Sequence, residues 1–100
     1  MAKKLKPEPA FSSLAPAREI LHEESSLRCM VFYLGSGQKI DIHRSPRRVL
    51  AIVLEGEVEF FVGSTDERER LKRGEAILYE PGEPHGFQAM EDAVVMVLVV

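Results

Sequence analysis

The sequence has little cysteine and no tryptophan: Cys29 is the only cysteine among 100 residues. A single thiol cannot form an internal disulfide, and a zinc site built from several cysteines is excluded. Cys29 is followed by Met30, Val31 and Phe32. In this apolar segment we expect Cys29 to be a small buried side chain rather than a reactive thiol.

Long hydrophobic runs are also lacking. The longest, Ala93–Val100, is far shorter than the roughly 20 residues that a membrane-spanning helix needs. The basic start of the chain, MAKKLKP, is not followed by an apolar segment, so the sequence predicts no secretory signal. We therefore expect a cytoplasmic protein without a membrane partner, and a chain of this length leaves room for one domain.

Positive charge is not in excess, because 16 Asp and Glu residues outnumber 13 Lys and Arg residues and give a net charge of −3. Binding to nucleic acid generally requires a basic stripe, so we expect no nucleic-acid partner. One local basic cluster consists of Arg44, Arg47 and Arg48. Such a cluster attracts a carboxylate or phosphate when it lies at a pocket, and is otherwise a solvated loop.

The pattern that is present indicates β structure. Three prolines in residues 1–17 predict an irregular N-terminal arm, and residues 18–24 fit either a helix or an edge strand, of which we favour the strand. From Leu27 onward, β-rich segments with glycine or proline breaks predict further strands. These are Leu27–Leu34, Lys39–Arg44, Val49–Leu54, Glu57–Val62, Arg68–Leu71, Ala76–Tyr79, His85–Met90 and Ala93–Val100. We therefore predict one all-β sandwich or barrel domain over residues 18–100.

The last predicted strand shows no polar alternation between Val94 and Val100. Both of its faces must therefore be covered, one by the interior of the barrel and the other by the N-terminal arm or a second subunit. A strand of this kind would promote aggregation if one face stayed exposed. We therefore expect a homodimer.

Two histidines, far apart in the sequence, each lie in a segment marked by glycine or proline at spaced positions. We call these two segments the histidine frames. The positions concerned are Gly37, His43 and Gly56 in the first frame, and Gly74, Pro81, Gly82 and His85 in the second. Over roughly residues 27–100, these frames resemble the two motifs of the cupin superfamily, specifically of the small single-domain type-2 cupins. The resemblance implies a single small cupin β-barrel, which is also described as a double-stranded β-helix or jelly roll.

The second motif departs from the family pattern at Glu80, which stands where the proline belongs beside Pro81, and at Ala89, which replaces an asparagine. The other departures concern the metal ligands. In metal-binding cupins, two histidines and a glutamate of the first motif and a histidine of the second hold an ion such as Fe, Mn, Ni or Zn. His43 and His85 match two of these positions, whereas Ser45 and Val49 stand at the other two. Asp41 shares a predicted strand face with His43 and is the best local candidate for a third ligand or an orienting carboxylate. The metal set His43, His85 and Asp41 is incomplete, so we expect either no cofactor or a weakly held divalent metal.

A small barrel of this type can hold one small ligand in its mouth. We expect the two histidines to lie in this pocket together with apolar walls and an arginine at the mouth. The candidate ligand-binding residues are His43, His85, Tyr33, Val49, Phe87, Met96 and Arg48. In the alternative interpretation the pocket is a relict, and the histidines bond to each other, to water or to tyrosine side chains.

Three functions are consistent with this sequence. The first is a small-molecule-binding cupin without a complete metal site. The second is an enzyme, either a metal-dependent oxygenase or isomerase with a reduced ligand set, or a metal-free acid/base catalyst that uses His43 and His85. The third is a structural or interaction dimer with a vestigial pocket. No spacing of Ser, His and Asp or of paired carboxylates identifies a catalytic residue, so the sequence leaves open whether the protein is an enzyme.

Overall fold

Short apolar segments between glycine and proline turns form nine strands in the computed structural model. The structure describes the backbone of residues 1–100 and every side chain except those of Ser64 and Thr65. The strands are β1 (Ala17–Glu24), β2 (Leu27–Leu34), β3 (Lys39–His43), β4 (Val49–Glu55), β5 (Glu57–Val62), β6 (Ser64–Lys72), β7 (Ala76–Tyr79), β8 (His85–Ala89) and β9 (Ala93–Val99). Nowhere in the described backbone is there a helix long and apolar enough to cross a membrane.

The strands pair antiparallel in two sheets, so the predicted all-β fold is confirmed. One sheet has five strands in the order β1-β2-β9-β4-β7, and the other has four in the order β3-β8-β5-β6. Residues 18–24 belong to β1, which pairs with β2 at the edge of the five-stranded sheet. The strand interpretation of this segment is therefore correct.

The core lies between the two sheets and follows from strand alternation. In β5, Val58 and Phe60 are fully buried, whereas Glu57 and Glu59 on the opposite face are half-buried. Burying a phenylalanine such as Phe60 stabilises the fold by roughly 2–3 kcal/mol relative to leaving it exposed. The apolar faces of β2, β4, β8 and β9 complete the same core.

β6 is longer than the predicted strand Arg68–Leu71. The sequence did not predict its full length because these residues show no apolar alternation. It is the edge strand of the four-stranded sheet and pairs with β5 from Phe61 opposite Arg68 to Glu57 opposite Lys72. Backbone hydrogen bonds form this ladder whether or not the side chains are apolar. Charged side chains on an edge strand also discourage pairing with other molecules.

Residues 1–16 form neither helix nor strand, and parts of this arm lie against the outer side of the β1–β2 pair. The ring of Phe11 lies 5.7 Å from that of Tyr33, and the side chain of Gln38 donates a hydrogen bond to the carbonyl of Ser12. The Tyr33 hydroxyl donates to Glu19 at 2.7 Å. Burial and this contact with Glu19 raise the pKa of Tyr33 to about 12, so the hydroxyl remains a donor.

The turn between β4 and β5 depends on Gly56, which has a φ of 83°. A Cβ at this position would overlap the carbonyl oxygen of Asp92 and come within 3.0 Å of Ala93 Cα. Both partners are backbone atoms at the start of β9, so they cannot move aside without shifting that strand. Gly56 therefore allows the β4–β5 turn to pack directly against β9.

We predict that Gly56→Ala lowers the free energy of unfolding by about 2–4 kcal/mol, because it combines a strained φ with a backbone overlap. Gly82→Ala is the matched control: Gly82 has a φ of 84°, but a Cβ there meets no atom within 4 Å. The control isolates the conformational cost, which is about 1 kcal/mol. Urea denaturation measures both values, and equal losses would contradict the packing role of Gly56.

Candidate functional site

The predicted meeting of His43 and His85 occurs in the structure. His43 ends β3 and lies directly opposite His85, the first residue of β8. Their ring centroids are 4.1 Å apart and the ring planes meet at 64°. His85 is buried, with 6% of its surface exposed, whereas His43 is exposed. The pair therefore reaches from the interior of the protein to solvent.

Gly86 allows this close approach of β3 and β8. A Cβ at Gly86 would lie 2.7 Å from the carbonyl oxygen of Ile40 and 3.0 Å from the amide nitrogen of Ile42. The register between the two strands also shifts between Ile40 and His43, so β3 is irregular just before the histidine. A side chain larger than hydrogen at position 86 would push the strands apart next to the histidine pair.

Backbone hydrogen bonds fix the tautomer of each imidazole. Nδ1 of His43 lies 2.9 Å from the carbonyl oxygen of Asp41, and Nδ1 of His85 lies 3.1 Å from that of Glu83. A carbonyl only accepts, so each Nδ1 carries the hydrogen and donates it. In the neutral form, Nε2 of each ring is then left with a lone pair. The site can therefore offer two hydrogen-bond acceptors or bases.

The pKa of His85 is lowered below its usual range, chiefly because burial disfavours the charged imidazolium. The hydrogen bond to the Glu83 carbonyl opposes this effect, and the nearby His43 adds to it. Tyr79 packs against the same ring, with the centroids 5.3 Å apart, and its hydroxyl donates to the carbonyl of Phe61. The buried member of the pair is therefore a neutral acceptor near pH 7.

The residues present do not fit the metal that the family resemblance implies. The carboxylate of Asp41 is 88% exposed and pairs with Lys39, and only its backbone carbonyl contacts His43. Asp41 thus supplies no third ligand, because its side chain is directed to solvent. Among the described side chains, no group of three or more His, Cys, Asp or Glu residues could hold a metal ion. Two imidazoles alone fall short of the three protein ligands of a typical catalytic site.

The histidine pair lines a cavity of about 490 Å³. Most of its wall is apolar, formed by Met30, Phe32, Ile40, Pro46, Val49, Ala51, Phe87, Val97 and Val99. Phe87 packs edge-on against Phe32 at 5.7 Å and lies 5.1 Å from Phe60. The Phe32–Phe87 contact joins the two sheets, and the Phe60–Phe87 contact links the cavity wall to the hydrophobic core.

The structure brings four of the predicted ligand-binding residues together, namely His43, His85, Val49 and Phe87, all of which line the cavity. Tyr33 and Met96 do not line it. They belong to a second apolar cluster with Val31 and Val94. β2 and β9 are apolar on both faces, so alternation alone does not show which set of side chains faces inward.

Arg48, the predicted arginine at the mouth, also lies outside the cavity wall. Its guanidinium pairs with Glu80 on the surface, with Nη2 and Oε2 2.9 Å apart. The pKa of the Glu80 carboxyl is lowered, mainly because Arg48 donates hydrogen bonds to it. The positive charge of Arg48 is therefore already balanced.

Sequence reasoning missed the inward residues of β2 and β9, notably Met30, Phe32 and Val97, and the cavity arginines Arg18 and Arg28. Register would have found Arg28, and Val99 as well: Val49 faces Val99, and Val99 faces Arg28 on the next strand. Cross-strand partners share a face, so an inward Val49 places both neighbours inward. That register depends on strand order, which the sequence does not supply.

We predict that the lowered pKa of His85 makes stability depend on pH. Below its unfolded pKa of about 6.5, the unfolded chain binds a proton that the folded chain excludes. The contribution of His85 is therefore fully present above pH ~6.5 and is lost as the pH falls through the lower folded value. Urea denaturation from pH 7.5 to 5.5 should show a shallower loss for His85→Gln than for the wild type. Parallel curves would contradict the prediction.

Comparisons with known proteins agree with this architecture. The family model described as "Cupin domain" matches residues 30–100. The chain is similar to an RmlC-like cupin protein from Desulfovibrio desulfuricans, with 27% identity and a TM-score of 0.88, over 100% of this chain and 95% of that chain. It is also similar to a conserved protein of unknown function from Streptococcus pyogenes, with 28% identity and a TM-score of 0.80, over 89% of this chain and 76% of that chain.

An uncharacterized conserved protein with a double-stranded β-helix domain from Klebsiella pneumoniae shows 25% identity and a TM-score of 0.82, over 96% of this chain and 82% of that chain. None of the curated proteins is similar enough to count as a match. The family model covers well over half of the sequence, including both histidine frames. The chain therefore belongs to the cupin domain family, as a small type-2 cupin.

Proposed function

We propose that the protein binds a small organic molecule in the cavity between its two sheets, without a complete metal site. The observation that carries this proposal is the cavity of about 490 Å³, with a largely apolar wall and the histidine pair in its lining. Ligand sites in proteins typically have volumes of about 300–1,000 Å³ and combine apolar walls with a few placed polar groups. The cavity has both properties.

The histidines give the cavity its polar specificity. Their Nδ1–H groups are occupied by backbone carbonyls, so only Nε2 of each ring is left for a ligand. A hydroxyl or N–H group of the ligand would donate to these acceptors. Tyr79 also lines the cavity, but its hydroxyl is already bonded to Phe61. This arrangement supports binding rather than a metal-dependent oxygenase or isomerase, since Asp41 brings no carboxylate.

We predict that a neutral apolar dye enters this cavity. N-phenyl-1-naphthylamine, whose fluorescence rises in apolar surroundings, should bind the wild type saturably with one site per chain. Val99→Phe places a larger side chain on the cavity wall, which takes up part of the space for the dye. Dye binding should therefore weaken about tenfold or more, which corresponds to a loss of about 1.4 kcal/mol in binding free energy. Fluorescence titration measures the dissociation constant.

Val100→Phe is the matched control, because Val100 is the next residue, is 48% exposed and does not line the cavity. The control should bind the dye as the wild type does. Circular dichroism checks that both variants remain folded. If the wild type does not bind, or if both variants weaken binding equally, the cavity is not the binding site.

We also propose that a second copy of this chain covers the outer face of the five-stranded sheet. Leu50, on β4, lies between Leu78 and Leu98 on the neighbouring strands, and Ile52 lies opposite Met96. These residues alternate with the core residues of the same strands, and Leu78 is 51% exposed. These side chains are all apolar, so the patch that they form is complementary to itself, as a two-fold interface requires.

The N-terminal arm and the second copy would cover different parts of this sheet. The contact of Phe11 with Tyr33 places the arm at the β1–β2 side. The half-buried Leu50 and Leu98 and the exposed Leu78 lie on β4, β9 and β7 at the other side. The interior covers one face of β9. In this proposal the second copy covers the outer face of β9, while the arm covers the β1–β2 side.

We predict that Leu78→Glu disrupts this dimer, because pairing would bury a charge from each copy in an apolar interface. Light scattering after size-exclusion chromatography should give the mass of two chains for the wild type and of one chain for the variant. Met90→Glu is the control: Met90 is a 39% exposed hydrophobic residue outside this face, and the variant should stay dimeric. A monomeric wild type would refute the proposal.

A further inference from the structure

Three arginines contribute to the wall of the cavity: Arg18 on β1, Arg28 on β2 and Arg44 just after β3. Among the lining residues there is no Asp or Glu. This distribution differs from that of the whole sequence, in which acidic residues outnumber basic ones. The cavity is therefore a locally positive region of a negatively charged protein.

Two of these three guanidinium groups have no carboxylate partner among the described side chains. Arg44 donates only to the carbonyl oxygen of Gly82, at 2.9 Å. For Arg18 the described structure gives neither a hydrogen bond nor an ion pair, and its side chain is exposed. Arg28 is paired with Glu23, which lies directly opposite it on β1. Most of the positive charge at the cavity is therefore available to a ligand.

The other members of the basic cluster seen in the sequence behave differently. Arg48 is paired with Glu80, and neither Arg48 nor Arg47 lines the cavity. Arg47 donates to the backbone carbonyl of Val99. The fold thus separates Arg44 from its neighbours in sequence and places it with two arginines from the first two strands.

Charge and apolar surface lie at different depths in the cavity. Arg18 and Arg44 are exposed and Arg28 is half-buried, so the guanidinium groups lie toward the opening. Met30 and Phe87 are buried, and Phe32 packs against Phe87. A ligand that fills this cavity meets positive charge at its outer end and apolar side chains at its inner end.

We infer that the ligand is an amphipathic anion, with a carboxylate or phosphate head at Arg18, Arg28 and Arg44 and an apolar body along Met30, Phe32 and Phe87. The inference rests on the proposed binding function and adds the chemical class of the ligand. Guanidinium groups bind carboxylates and phosphates through charge-assisted, often bidentate, hydrogen bonds. A neutral ligand of the same shape would leave these donors to solvent.

The test compares three probes with the same eight-carbon chain: octanoate, octyl phosphate and octan-1-ol. Each is titrated against the wild type carrying N-phenyl-1-naphthylamine, and displacement of the dye is measured at low ionic strength. Both anions should displace the dye at concentrations about tenfold or more below that of the alcohol, because charged hydrogen bonds are the stronger kind. Added NaCl should weaken displacement by the anions and leave that by the alcohol unchanged.

The variant Arg18→Gln/Arg44→Gln should lose this preference for anions, with affinity for octanoate and octyl phosphate reduced about tenfold or more and affinity for octan-1-ol unchanged. Arg73→Gln is the control, since it removes the same type of charge from an exposed residue that does not line the cavity. The ratio of octyl phosphate to octanoate affinity then shows which head group the arginines prefer.

The outcomes separate the two proposals. If all three probes displace the dye equally well, or if the control variant weakens the anions as much as the double variant, the anionic ligand class is wrong and the binding cavity remains. If the dye itself does not bind, the binding function is wrong. Selective displacement by anions that depends on Arg18 and Arg44 supports both.

Discussion

Antiparallel pairing between β3 and β8 places His43 opposite His85 in the cavity wall. The pairing depends on Gly86, where even a methyl group would meet the backbone of β3. The same pairing carries Phe87 into contact with Phe32 of the other sheet. The polar part of the cavity and the apolar wall behind it therefore depend on one strand–strand contact.

The cavity retains two imidazoles but not the ligand set of a metal site. Ser45 and Val49 line it in place of a histidine and a glutamate, and the nearby Asp41 carboxylate faces solvent. Burial keeps His85 neutral, which suits an acceptor of hydrogen bonds. The chemistry that remains is recognition by two ring nitrogens, an apolar wall and nearby guanidinium groups.

Sequence patterns predicted the strands well where one face is apolar and the other polar. They were less informative for β2 and β9, where nearly every residue is apolar: Tyr33 and Met96 face the outer cluster, while Phe32 and Val97 face the cavity. Asp41 illustrates a different limit. It lies two residues before His43 on one strand, yet β3 shifts register between Ile40 and His43, and the Asp41 carboxylate lies in solvent, outside the site.

The sequence by itself determined the all-β class, the position of most strands and the two frames that carry the histidines, because these follow from local alternation and turn residues. Only the tertiary structure decided which face of each apolar strand is inward and which arginines share the cavity. Arg18, Arg28 and Arg44 come from different strands or loops, and Arg48 is balanced by the distant Glu80. Such groupings depend on strand order and register, which are set by packing of the whole chain rather than by any local segment.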